Sequence, residues 1–113
     1  MRNIKEIKEI DEVQRQYYMM LSRMESDCRF YLGYGMRDAR YALYWKSERK
    51  HIQEMLHIYD RIALKPVWLD VAGILRYAER MGVKVRHASW LKAKDRVLRF
   101  WQMVLYWKEL NGR

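Results

Sequence analysis

Few residues of this chain have the types and spacing that chemistry requires. His51, Glu54 and His57 follow one another at intervals of three, which resembles the spacing of metal ligands. Helical histidines that grip zinc stand four apart, however, and no further Cys or His stands at a set distance to complete the ligands. A solvated polar face is the expectation. Cys28 and the distant His87 would form a nucleophile and base only if the fold brought them together. Cys28 falls on an apolar stripe, where a buried and inert thiol is expected. Gly33-Tyr34-Gly35 follows a helix and is too short for a phosphate-binding loop between strand and helix. Glu25, Asp27 and Asp38 flank that turn without the signature of paired catalytic carboxylates. No catalytic residue, metal site or cofactor is therefore assigned. A non-enzymatic protein is expected, with a metal-dependent nuclease as the minor alternative.

The strongest positive signal is charge. Of a formal net charge of +9, nearly all sits in the second half. Residues 1–60 carry 11 Lys and Arg against 10 Asp and Glu, and residues 61–113 carry 12 against 4. Lys84, Arg86, Lys92, Lys94, Arg96 and Arg99 lie within sixteen residues that hold one acid, Asp95. Scattered solubility charge mixes both signs, so this segment is expected to meet an anionic partner, either nucleic acid or an acidic protein surface.

Helices must position these residues. Ile4, Ile7, Ile10, Val13, Tyr17, Leu21, Met24, Cys28 and Tyr31 recur in steps of three and four, which predicts one long N-terminal helix. Asn3 with Glu6 reads as its capping box, and Gly33 and Gly35 as its left-handed end. Helix is expected again from about Asp38 to Ile62, broken near Ser47, which caps a fresh start ahead of Glu48. Asp70 caps a short helix that ends before Gly82. Val83–Arg86 reads as an extended connector, and a last helix is expected from after Ser89 to about Leu110. The fold class expected is all-α, a compact bundle of four to five helices forming one domain over residues 1–113.

The last helix is too apolar for one buried stripe. Trp90, Ala93, Val97, Trp101 and Val104 follow one face, with Leu98 and Leu105 widening it. Phe100, Met103, Trp107 and Leu110 follow another at the same spacing. Only a narrow polar strip remains, Lys92, Asp95, Arg96, Arg99 and Gln102, in which Asp95 is placed to pair with Arg99. Either this helix is central and buried on two sides, or its second face meets a partner or a second copy of the chain. Trp90, Phe100 and Trp107 are the candidate stacking or interface groups.

Composition narrows the class further. A chain that is 50% hydrophobic and 33% charged is globular rather than disordered. One cysteine forbids an intrachain disulfide and fits a reducing compartment. The charged start lacks the apolar core of a signal peptide, and no apolar run approaches the ~18 residues of a membrane span. A cytoplasmic protein with no membrane partner is expected.

Several segments together resemble a known domain. They are Arg15-Gln16-Tyr17-Tyr18-Met19-Met20-Leu21-Ser22-Arg23 and Asp27-Cys28-Arg29-Phe30-Tyr31-Leu32-Gly33-Tyr34-Gly35. His51-Ile52-Gln53-Glu54-Met55 with Ile58-Tyr59, Lys65-Pro66-Val67-Trp68-Leu69 and Tyr77 complete the set. In this order, over about residues 14–81, they resemble a small helical domain of the large polyvalent protein-associated group, found in phages and conjugative elements. The basic segment from Val83 onward lies outside the resemblance, and Lys46-Ser47 stands where a glycine-containing turn is expected. The resemblance implies a mobile-element protein that acts against host defences in the bacterial cytoplasm. For a short basic chain of that origin, an anti-CRISPR inhibitor is the expectation. It would bind an RNA-guided nuclease, its guide RNA or its DNA through Lys84, Arg86, Lys92, Lys94, Arg96 and Arg99. A DNA-binding accessory protein of the element and a dimeric interaction module are the alternatives.

Overall fold

In the computed structural model, residues 4–34 and 36–112 are described, with the side chains of all of them except Glu6, Ile7 and Ile10. Five helices follow in order: α1 (Ile4–Leu32), α2 (Ala39–Ala42), α3 (Glu48–Arg61), α4 (Val71–Arg80) and α5 (Ala88–Asn111). No strand occurs among the described residues. The proposed capping box of Asn3 and Glu6 lies outside what is described.

The core is built where three stripes converge. Leu21, Met24, Cys28 and Tyr31 of α1 meet Ile52, Met55 and Tyr59 of α3 and Ile74 and Ala78 of α4, all buried. These are the periodic positions of the sequence, and α1 packs on α3 while α3 packs on α4. Polar tips are satisfied at the edge of the core. The indole N–H of Trp45 donates to the sulfur of Met24 at 3.2 Å, and the hydroxyl of Tyr31 donates to Glu48 at 3.1 Å.

Local signals set the boundaries. The hydroxyl of Ser47 accepts from the Lys50 amide, and the Asp70 carboxylate accepts from the Gly73 amide at 2.7 Å. Each thereby satisfies an amide that the first turn of its helix leaves open. Gly82 takes the left-handed conformation, φ 76°. Other boundaries differ from expectation. The left-handed residues after α1 are Met36 and Arg37, whereas Gly33 simply continues the helical pattern by bonding to the carbonyls of Arg29 and Phe30. Gly35 lies outside the described residues. Between α2 and α3 the left-handed position is Lys46, φ 60°, the place where a glycine was expected. α5 starts at Ala88 rather than after Ser89, behind His87 at φ 58° with no side-chain cap.

The molecule is drawn out, 52 × 32 × 22 Å with a radius of gyration of 16.2 Å, where a compact chain of this length has about 13 Å. The excess lies at two helix ends. The N-terminal turns of α1 are uncovered, with Ile4 71% and Val13 45% exposed. So are the C-terminal turns of α5.

Candidate interaction surface

α5 sits on the body through Asp95, Arg99 and Gln102 of its narrow polar strip. Asp95 is its one buried residue, 5% exposed. The carboxylate accepts from the Tyr59 hydroxyl at 2.6 Å and from the Val71 amide at 3.1 Å. Those two groups belong to α3 and to the first turn of α4, so one carboxylate joins three helices. Arg99 does not pair with Asp95 directly; its guanidinium donates to the same Tyr59 hydroxyl at 3.0 Å. One turn further on, the Gln102 amide accepts from the Lys65 backbone N–H at 2.7 Å and donates to the Lys65 carbonyl at 3.1 Å. Lys65 is itself buried, and its ammonium donates to the carbonyls of Tyr59 and Asp60 at the end of α3. Burial, and then the hydrogen bond to Asp95, push the Tyr59 phenol up, against the opposing pull of Arg99. Burial likewise holds the Lys65 amine below its ordinary value.

The apolar residues of α5 consequently face outward. Trp90, Val97, Phe100, Trp101, Met103, Tyr106, Trp107 and Leu110 are each more than half exposed. A central helix buried on both sides is not what the structure shows. Asp95, Arg99 and Gln102 of the polar strip dock, both apolar series are largely open, and of α5 only Leu91 packs against the core.

The candidate cations divide between two sides. Lys92, Arg96 and Arg99 line a groove of about 1150 Å³ with Phe100, Trp101 and Tyr106, against the segment that holds Leu64 and Lys65. Lys94 faces the other way, 3.8 Å from the Asp60 carboxylate and 5.4 Å from the centre of the Trp90 ring. Lys84 and Arg86 stand exposed on the connector. Among the described residues Lys84, Arg86, Lys92 and Arg96 carry no ion pair, whereas Arg99 is engaged with Tyr59. Phe100 packs edge-on to Trp101, with ring centres 6.1 Å apart. Trp107, 63% exposed, is not among the residues of that groove. The sequence marked Gln102 only as part of the polar strip, and Tyr59 and Lys65 only within the resemblance, none of them as a seat for α5. The available signal was Asp95, a lone acid among cations at a helical spacing from Gln102.

His51 is fully buried rather than solvated; its Nε2–H donates to the Met24 carbonyl at 2.9 Å, and Nδ1 has no partner. Glu54 pairs with Lys50 at 3.0 Å, and His57 is exposed. Cys28 is buried against the sulfur of Met55 at 3.6 Å. Burial, then the charges of Asp27 and Glu25, push its thiol up to about 12. Among the described residues no three His, Cys, Asp or Glu side chains gather where a metal ion would sit. No described helix is long and apolar enough to cross a membrane.

Comparison with curated proteins and with solved structures gives no match. The model of one family does match, over residues 14–81, the stretch that runs from the middle of α1 to the end of α4 and contains the core. This is more than half of the chain, which therefore belongs to the family of large polyvalent protein-associated domain 11 and is a protein associated with phages or mobile elements.

Proposed function

We propose that this chain is a counter-defence protein of a mobile element, an anti-CRISPR inhibitor that works by binding and not by catalysis. It acts in the cytoplasm of the bacterial host. Its target is an RNA-guided nuclease, engaged at the surface that holds guide RNA or target DNA, or the nucleic acid itself. The observation that carries this reading is the orientation of α5 and its connector. Unpaired cations (Lys84, Arg86, Lys92 and Arg96) stand beside outward aromatic rings, the combination that binds phosphate backbones and stacks on bases. Family membership supports a mobile-element origin. A homodimer through the C-terminal part of α5 would leave Lys84, Arg86 and Trp90 free for this contact.

The test is binding of the purified protein to guide RNA, to duplex DNA and to the nuclease, each over a salt series, together with inhibition of cleavage. If four cations meet duplex phosphates, log affinity falls against log salt with a slope of about −3.6. The triple reversal Lys84→Glu, Arg86→Glu and Lys92→Glu is expected to abolish both binding and inhibition. Full inhibition by that variant would overturn the assignment of these residues.

A further inference from the structure

The outer face of α5 and the projecting turns of α1 are complementary. Phe100, Trp101, Tyr106 and Trp107 are each 55–66% exposed. At roughly 150–250 Å² per aromatic side chain, that leaves on the order of 400 Å² of ring surface in water. Met103, Leu105 and Leu110, each 62% exposed, extend it. A patch of this extent exceeds what single exposed residues explain and marks a contact surface.

The projecting part of α1 has the opposite charge. Residues 4–13 hold four acids and two lysines, whereas α5 holds five cations and two acids. A shallow groove on α1 is lined by Ile4, Glu9 and Glu12 with Lys5 and Lys8, so acidic groups stand beside an exposed aliphatic one. The two helices are also tied to the same segment. Gln14 of α1 bonds to the Arg61 carbonyl and the Ala63 amide, and Gln102 of α5 bonds to Lys65. Beyond those ties α1 has ten further residues and α5 has nine. At 1.5 Å per residue, both overhangs are about 14–15 Å long.

We infer that a second copy of this chain covers the outer face of α5, with the N-terminal turns of α1 from each protomer lying along α5 of the other. The contact is then self-complementary and occurs twice about a two-fold axis, as closed dimers require. Each protomer offers the exposed α5 face and the α1 overhang, which together approach the ~800 Å² per partner of a stable interface. Pairing α5 with α5 alone would instead gather Arg96 and Lys108 of both copies into one contact. This inference does not rest on the counter-defence reading. It leaves Lys84, Arg86 and Trp90, at the other end of α5 and its connector, outside the contact.

The experiment is sedimentation equilibrium of the full chain across concentration and salt, with twice the 14.0 kDa of the protomer expected. Glu9→Lys with Glu12→Lys, and separately Arg96→Glu with Lys108→Glu, are each expected to weaken the dimer about tenfold or more, or ~1.4 kcal/mol. All four positions are surface ones, and the circular dichroism of each variant checks that it folds. The four substitutions combined are expected to restore most of the affinity, because the pairing is reversed and not removed. A monomer at all concentrations overturns the inference. So does a dimer that ignores the α1 reversal, since that outcome assigns the contact to α5 alone or to another face. A monomer that still inhibits cleavage would sink the dimer and spare the proposed function, and an inactive dimer would do the reverse.

Discussion

Removing the Asp95 carboxylate should loosen α5 before anything else. Asp95→Ala deletes the acceptor of two buried donors, the Tyr59 hydroxyl at 2.6 Å and the Val71 amide at 3.1 Å. Hydrogen bonds to a charged group contribute about 1.5–3 kcal/mol each, and an orphaned buried donor carries a penalty in the same range. Part of this is offset, because the carboxylate no longer has to be held out of water. The net expectation is a loss of about 3 kcal/mol, a large share of the 5–15 kcal/mol that holds a typical domain together. For a chain of this size that corresponds to a fall in Tm of roughly 12 °C. Asp95→Asn keeps one carbonyl oxygen for one of the two donors and should lose about half as much. Urea unfolding followed by Trp fluorescence measures the change, and a cycle with Tyr59→Phe isolates the pair, with a coupling of about 1.5 kcal/mol expected. Hydrogen exchange supplies the local readout, as the amides of α5 should lose protection while those of α3 keep theirs. A loss below about 1 kcal/mol, or equal loss of protection in α3 and α5, would refute the claim that this carboxylate seats the helix.

Two buried groups of the core give further tests. The Cys28 thiol, pushed up to about 12, should resist alkylation at pH 8 in the folded protein and react only as the chain unfolds. Labelling within minutes under native conditions would contradict its burial. Burial lowers the pKa of His51, so the folded state keeps it neutral where the unfolded state already binds a proton. Stability conferred by the neutral ring is therefore complete above the ordinary imidazole value and declines as pH falls below about 6.5, with a slope of up to ~1.4 kcal/mol per pH unit. His51→Gln preserves a donor to the Met24 carbonyl and should flatten the dependence between pH 6.5 and 5. An unchanged slope would assign the proton to another group.

Helix positions and the three-stripe core were legible because both follow from local rules. A run such as Leu21, Met24, Cys28 and Tyr31 has only one face to bury, and Ser47 and Asp70 cap wherever an amide needs an acceptor. The side of α5 that docks was not legible. Apolar periodicity points inward only if the body offers an apolar surface to receive it. Here the body offers a phenol hydroxyl, a backbone amide at the start of α4 and the backbone of Lys65, to which Asp95 and Gln102 are the matching groups. Those partners are 24 to 37 residues away in the chain, beyond any window of helical spacing. His51 was misplaced for a related reason. The residues that precede it, Ser47 to Lys50, are polar, and the Met24 carbonyl that draws it inside belongs to a different helix. The basic segment was conspicuous from composition, but its split into a groove side with Lys92 and Arg96 and an opposite side with Lys94 depends on where α5 lies.

The shared carboxylate also separates two boundaries that are easily taken for one. The stretch recognisable as a relative of other chains stops at residue 81, yet the acceptor that completes its interior arrives fourteen positions later, at Asp95. Cut after Met81, the chain would keep every residue of its ancestral signature and still leave a phenol and an amide facing an empty socket. What is inherited as a recognisable piece is thus shorter than what is needed to close the interior. The basic tail that looks like an appendage is, at one atom pair, a plug. Any partner that gripped the outward aromatic face and levered α5 away would uncover that socket, so recognition at the surface and integrity of the interior are coupled through a single side chain.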